Sequence, residues 1–216
     1  MKRILLILVM AFGSSSTLAQ NSSFQEMLRQ AEQGDPVQQY RIGLRYRNGI
    51  DVLQNYQEAL RWFRLAAEQG QVDAHIDLGF MYKLGEGIPQ NDLESVRYFR
   101  LAAQQGNASA MTNLGVMYRD GRGVSQNDQE AVKLFRLAAE QGDVFAHNQL
   151  GWMYLQGKGI VQSYQKAYMW FSIAVAGGLT SSLERDQVLS LLSPQELQQA
   201  QAQATRCFES NFKECD

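Results

Sequence analysis

The chain has 216 residues, of which 45 % are apolar and 19 % charged, with a formal net charge of −2. That composition belongs to a folded protein, one ordinary domain or one short repeat array. The charge supplies no basic field to attract nucleic acid.

Residues 1–19 read as a secretory signal peptide. Lys2 and Arg3 form the charged head, Ile4 to Phe12 a short apolar core, and Thr17-x-Ala19 suits cleavage before Gln20. The core is far shorter than the ~18–20 residues that span a bilayer. No Cys follows it to accept a lipid. Cleavage would leave 18 basic against 22 acidic residues, a mature charge of −4. Residues 20–22 are polar and expected to be loose. Phe24, Met27, Leu28 and Ala31 then follow i, i+3, i+4, i+7, the stripe of an amphipathic helix. The helix ends Ala-Glu-Gln-Gly at Gly34, and close copies of that ending recur at Gly70, Gly106 and Gly142. Residues 20–34 therefore look like the second half of a repeat and are expected to cap the N-terminus.

One phrase then recurs four times. It reads L-G-F-M-Y-K-L-G-E-G-I-P-Q-N from Leu78, L-G-V-M-Y-R-D-G-R-G-V-S-Q-N from Leu114, L-G-W-M-Y-L-Q-G-K-G-I-V-Q-S from Leu150, and more weakly I-G-L-R-Y-R-N-G-I-D-V-L-Q-N from Ile42. The period is 36 residues. Self-similarity at such a spacing marks a repeat array. The repeats are assigned to 35–70, 71–106, 107–142 and 143–178. Each predicts two helices. The first opens on an N-cap such as Asp35 before Pro36 and closes at Gly49, Gly85, Gly121 or Gly157. The second opens at Asn55, Asn91, Asn127 or Ser163. In three repeats a glutamate stands three positions on (Glu58, Glu94, Glu130), a capping-box pattern. Gly43, Gly79, Gly115 and Gly151 fall inside the first helix, where each costs about 1 kcal/mol against alanine. Close approach of the paired helices is the expected gain, with Gly79 facing small residues such as Ser95 or Ala102.

The fourth repeat loses the polar ending and closes Ile173-Ala174-Val175-Ala176-Gly177-Gly178, an apolar end that needs cover. Residues 179–216 supply it. One helix is predicted over 182–192. A second begins at Ser193-Pro194-Gln195-Glu196, with Leu197, Ala200 and Ala204 as its apolar stripe. Cys207 and Cys215 are expected to bond in an oxidising compartment.

The repeated pattern A-x-x-x-L-G-x-M-Y-x-x-G-x-G-[IV]-x-Q-N, followed by A-x-x-x-[FW]-x-x-A-A-x-Q-G, resembles the Sel-1-like repeat (SLR) family, a relative of the tetratricopeptide repeat. The resemblance covers residues 35–178. The first repeat departs most, with Arg45 where the others have Met and Asp51 where they have Gly. The resemblance implies an all-α fold, a right-handed α-solenoid of antiparallel helix pairs with four tetratricopeptide-like repeats and helical caps. It also implies adaptor or scaffold work, in bacteria often in the envelope or at the host interface. Export by the signal peptide places the chain in the periplasm if the source is Gram-negative and makes it secreted otherwise.

No catalytic constellation, metal set or cofactor is expected. His75 and His147 lie two repeats apart and cannot share a metal; each is read as a surface or half-buried residue. No strand precedes the glycine pairs and Gly-Lys-Ser/Thr is absent, so they do not form a phosphate loop. Cysteine-rich relatives linked to β-lactams carry a Cys pair in each repeat, and this chain does not; a hydrolase of that branch is the weakest reading. The chain is read as no enzyme but a binder of a protein or peptide. An envelope polymer such as a peptidoglycan fragment is the alternative partner.

In the tetratricopeptide relative the first helices line the concave face. Carried over position by position, the facing residues are Tyr40, Leu44 and Arg47; Ile76, Phe80 and Lys83; Thr112, Val116 and Arg119; Phe145, Asn148, Trp152 and Leu155. Leu44, Phe80, Val116 and Trp152 form an apolar row, and Arg47, Lys83 and Arg119 a basic one. A second basic row, Arg64, Arg100 and Arg136, lies on the other helices and is read as solvated, paired with Glu68 and Glu140.

Overall fold

The computed structural model describes residues 15–179, 182–213 and 215. The charged head and apolar core of the expected signal peptide lie outside the described residues. Among those described, the regular elements are all helices. None is long and apolar enough to cross a membrane. The chain divides into two compact units between Ala74 and His75.

In the first unit α1 (Ser15–Glu32) packs on α2 (Pro36–Asn48), which pairs with α3 (Tyr56–Glu68). Helix α1 starts earlier than the sequence suggests and includes residues 20–22, because Leu18, Ala19 and Gln20 are good helix formers. Asp35 caps α2 by accepting from the backbone N–H of Val37 at 2.8 Å and of Gln38 at 3.1 Å. Gly49 closes it in the left-handed conformation. The core gathers Phe24, Ala31, Ile42 and Trp62. In the loop between α2 and α3, Asp51 itself adopts φ 62°, where the later repeats place glycine. Arg45 forms an ion pair with Asp51, so the two departures of the first repeat meet each other.

The second unit holds most of α4 (Val72–Leu84), then α5 (Asp92–Gln104), α6 (Ala108–Asp120), α7 (Asp128–Ala139), α8 (Val144–Gln156), α9 (Tyr164–Ala176), α10 (Leu183–Leu189) and α11 (Pro194–Glu209). Successive helices pair and stack. The mid-helix glycines do mark close approach, but not to small residues. A Cβ on Gly79 would lie 2.7 Å from the Phe99 ring, and one on Gly115 2.6 Å from the Phe135 ring. Gly151 meets Phe171 in the same way. The glycine admits a whole aromatic ring from the paired helix. Ser95 ties the same two helices together differently, its hydroxyl donating to the Gly79 carbonyl at 2.8 Å.

One expectation about polar groups needs correction. Asn91 and Asn127 do cap α5 and α7. Glu58, Glu94 and Glu130, however, point along the helix to Arg61, Arg97 and Lys133 rather than back to the cap. A cation three residues on competes for the carboxylate. On the second helices, Arg100 donates to the Tyr118 hydroxyl at 3.2 Å and Arg136 to the Tyr154 hydroxyl at 3.0 Å. These arginines reach a tyrosine of the next repeat; Arg64 and Arg100 are exposed, as the solvated row requires, and Arg136 is half-buried.

The apolar end of α9 is covered as its composition demands, by α10 and α11. Helix α10 is shorter than the predicted 182–192. Helix α11 begins with a complete capping box between Ser193 and Glu196. Ala200 is fully buried, with Leu197 and Ala204 beside it. Cys207 and Cys215 face each other as a disulfide pair, their Cα atoms 4.5 Å apart.

Candidate functional site

Helices α4, α6 and α8 are the first helices of three successive repeats. Lys83 on α4 donates to Asn113 Oδ1 on α6 at 3.2 Å. Arg119 on α6 hydrogen-bonds Gln149 on α8. Each rung joins residues 30 apart, so the three helices present corresponding faces side by side.

The basic row is therefore built into the scaffold. Arg119 also forks onto Asp120 at 2.7 and 3.1 Å. Burial, aided by the nearby Arg122 charge, pushes the Lys83 ammonium below its ordinary range. Its Nζ lies 5.8 Å from the centre of the Phe80 ring. Neither cation is a free charge waiting for a partner. Asn113 and Gln149, which make these rungs, are not among the residues that the sequence singles out. The signal was present: they share one phase of the repeat.

The apolar row is half-buried rather than core. Phe80 stands edge-on to Phe99 at 5.2 Å, and Trp152 edge-on to Phe171 at 5.8 Å. Each packs one edge against the ring that the neighbouring glycine admits, and keeps the rest of its surface at the helix face. Val116 packs against the same core. Ile76 is also half-buried, whereas Phe145 is 65 % exposed. A shallow cleft of about 320 Å³ is lined by Arg119, Gln149, Trp152, Met153, Gln156 and Lys158. Thr112 does not belong to this face. It is buried, and its hydroxyl donates to the Ala108 carbonyl and to Asp143, the cap of α8. Asn148 and Leu155 are half-buried.

In the first unit Tyr40 leans on Phe63 with ring centres 5.6 Å apart. Leu44 lines a shallow depression with Met27, Arg41 and Ile50. Arg47 is half-buried, and its carbonyl accepts from Gln54 at 2.8 Å.

Both histidines are buried, contrary to the sequence reading. The reason is their phase, which points into the contact between paired helices. Gln105 meets His75 Nδ1 at 3.3 Å. His147 Nε2 donates to the Ala139 carbonyl at 3.1 Å. Burial pushes both imidazoles below their ordinary range, with the Arg97 charge adding to the effect at His75. Among the described residues, His, Cys, Asp and Glu nowhere gather in threes to hold a metal.

Residues 39–71, 72–107, 108–143 and 144–179 match the Sel1 repeat. The chain belongs to the Sel1 repeat family. Its all-helical fold is the SLR fold of its solved neighbours. It is similar to c5321, a protective antigen present in uropathogenic Escherichia coli strains, with 39 % identity and a TM-score of 0.70 over 72 % of this chain and 33 % of that one. It is also similar to a Sel1 repeat protein from Oxalobacter formigenes, with 32 % identity and a TM-score of 0.69 over 73 % of this chain and 62 % of that one. The chain thus spans about a third of the first protein and about three-fifths of the second. No curated protein matches. Sel1 repeat proteins generally act as non-catalytic scaffolds that bind other proteins.

Proposed function

We propose that this chain is an exported scaffold that grips a protein or peptide partner with the first helices of its repeats. The supporting observation is the face of α4, α6 and α8. Phe80, Val116 and Trp152 recur there at one phase, half-buried and open on one side, braced by the Lys83–Asn113 and Arg119–Gln149 rungs. Rigid aromatic groups on a pre-organised surface lose little conformational entropy on binding, and hot spots favour such side chains. The rungs give this face hydrogen-bonding edges without loose charges. A periplasmic or secreted location is supported by the charged head, apolar core and cleavage pattern of residues 1–19, and by the paired cysteines. A similar protein being a protective antigen fits a chain that leaves the cytoplasm.

Crosslinking in the native compartment, read by mass spectrometry, identifies the partner. Phe80→Ala and Trp152→Ala should then each weaken its binding by about 1–3 kcal/mol with helicity retained. Lys133→Ala, on the exposed side of α7, serves as the control and should leave binding unchanged. Normal binding by both aromatic variants would overturn the reading. So would an N-terminus at Met1 on soluble cytoplasmic protein, as far as export is concerned.

A further inference from the structure

In the second and third repeats, the glutamine of the A-A-x-Q-G ending reaches back to its own first helix. Gln105 meets His75 at 3.3 Å, and Gln141 meets the Met111 sulfur at 3.8 Å. The fourth repeat has Gly177 at this position and so no side chain to offer. Its first helix presents His147 instead, stacked on Trp170 with ring centres 5.6 Å apart. The tail fills the gap. The Phe212 ring lies 4.7 Å from His147 and packs over Gly142 and beside Phe208.

Phe212 reaches this place through a turn that ordinary residues avoid. Asn211 and Phe212 have φ of 53° and 65°, both left-handed. Such a conformation persists in non-glycine residues only when the surroundings enforce it. Here the Phe212 N–H donates to the Cys207 carbonyl at 2.8 Å. The Cys207–Cys215 bond closes the segment around that turn. The Cys215 carbonyl is held by Gln203 at 3.3 Å.

We propose that the Cys207–Cys215 disulfide is a redox latch on the terminal repeat: bonded, it holds Phe212 over the His147–Trp170 shelf, and reduced, it releases the tail and opens that shelf. The reductant is a dithiol. It passes two electrons and two protons to the bond, leaving thiols on Cys207 and Cys215 and becoming a disulfide itself. Attack proceeds through a mixed disulfide and needs access to a sulfur. Cys207 is fully buried and Cys215 nearly so, so the seated tail also shields its own latch. Ring and bond protect one another. This device stands whether or not the first helices are the partner-binding face.

His147 reports the state of the latch. Burial lowers its pKa, opposed by its bond to the Ala139 carbonyl and by the Asp143 carboxylate. His75, in the same unit and far along the chain from the tail, is the internal reference. Imidazole resonances of the full chain are titrated by NMR before and after reduction with dithiothreitol, and amide exchange is followed over residues 207–213. Reduction should raise the His147 pKa toward the ordinary imidazole value, speed exchange in the tail, and leave His75 unmoved. Phe212→Ala in oxidised protein should reproduce the His147 change with the bond intact. It should also accelerate reduction by roughly three- to tenfold, the effect of removing one aromatic contact from the closed state. Cys215→Ser should match the reduced protein. Identical His147 titration and tail exchange in both redox states would overturn the latch. Reduction of Phe212→Ala at the wild-type rate would overturn the mutual shielding.

Discussion

The substitution Gly115→Ala isolates the contact that organises every repeat. A methyl there would stand 2.6 Å from Phe135 Cε1, 2.9 Å from Cδ1 and 3.2 Å from Cζ. Carbon atoms rest at about 3.5–4.0 Å, so the ring must retreat by roughly 1 Å. Phe135 has no accessible surface and nowhere to go without moving its neighbours. Overpacking of this kind costs about 1–3 kcal/mol. Alanine returns about 1 kcal/mol in helix propensity. The balance is a destabilisation of up to about 2 kcal/mol, where an open helix position would gain about 1. At this chain length, 1 kcal/mol moves the midpoint by roughly 2–4 °C. Thermal and urea unfolding followed by circular dichroism measure it. Leucine at the same site adds three more carbons and should lose substantially more. Phe135→Leu makes room, so the double variant Gly115→Ala/Phe135→Leu should be less damaged than the singles predict, with a coupling of about 0.5–3 kcal/mol. A more stable Gly115→Ala, or a strictly additive pair, would refute the glycine–ring contact.

Arg45 and Asp51 should behave as a unit. The double change Arg45→Met/Asp51→Gly, which restores what the other repeats carry, should exceed the sum of its singles by about 0.5–1 kcal/mol in urea unfolding. Stability should also fall as the solution is acidified from pH 7 to 5. The folded state resists protonating His147 and His75, whose pKa values burial holds below 6.5, while the unfolded chain binds protons there at that ordinary value. The slope is at most about 1.4 kcal/mol per pH unit per histidine. His147→Gln should flatten part of this slope and keep the fold. Gln39 occupies the same phase and donates to the Ala31 carbonyl at 3.1 Å, as His147 does to Ala139. An unchanged slope in that variant would show that His147 charges freely in the folded protein.

The helices were legible because their signals are local. A cap such as Asp35 and a closing glycine such as Gly49 act within one turn, and the 36-residue period repeats them until chance is excluded. The partner of each mid-helix glycine was not legible in the same way. The sequence announces a close approach at Gly79 but not what fills it, since Ser95, Phe99 and Ala102 lie on the same helix within two turns. Side-chain direction decides, and it selects Phe99. The candidate site suffered from the same limit. Phase alone placed Lys83, Thr112 and Arg119 on one face. Their partners, Asn113, Asp143 and Gln149, sit 30 or 31 residues further on, and with them one face divides into two built-in cations and one buried hydroxyl.

That spacing carries the wider physical point. A repeat of 36 residues brings equivalent positions into register, but the contacts that lock neighbouring repeats fall five or six residues short of it, at 30 or 31. The bidentate pair Arg122–Asp92, at 2.8 and 3.1 Å, has the same spacing. Inside a single repeat the same separation of 30 joins Gln105 to His75 and, in the first unit, Gln69 to Gln39. Such polar rungs add direction to an interface that apolar burial alone leaves free to slide. The rung within a repeat is lost where its glutamine is replaced, as it is in the fourth repeat. At Gly177 the chain meets that absence with Phe212, a side chain 35 residues further on and held by a covalent bond.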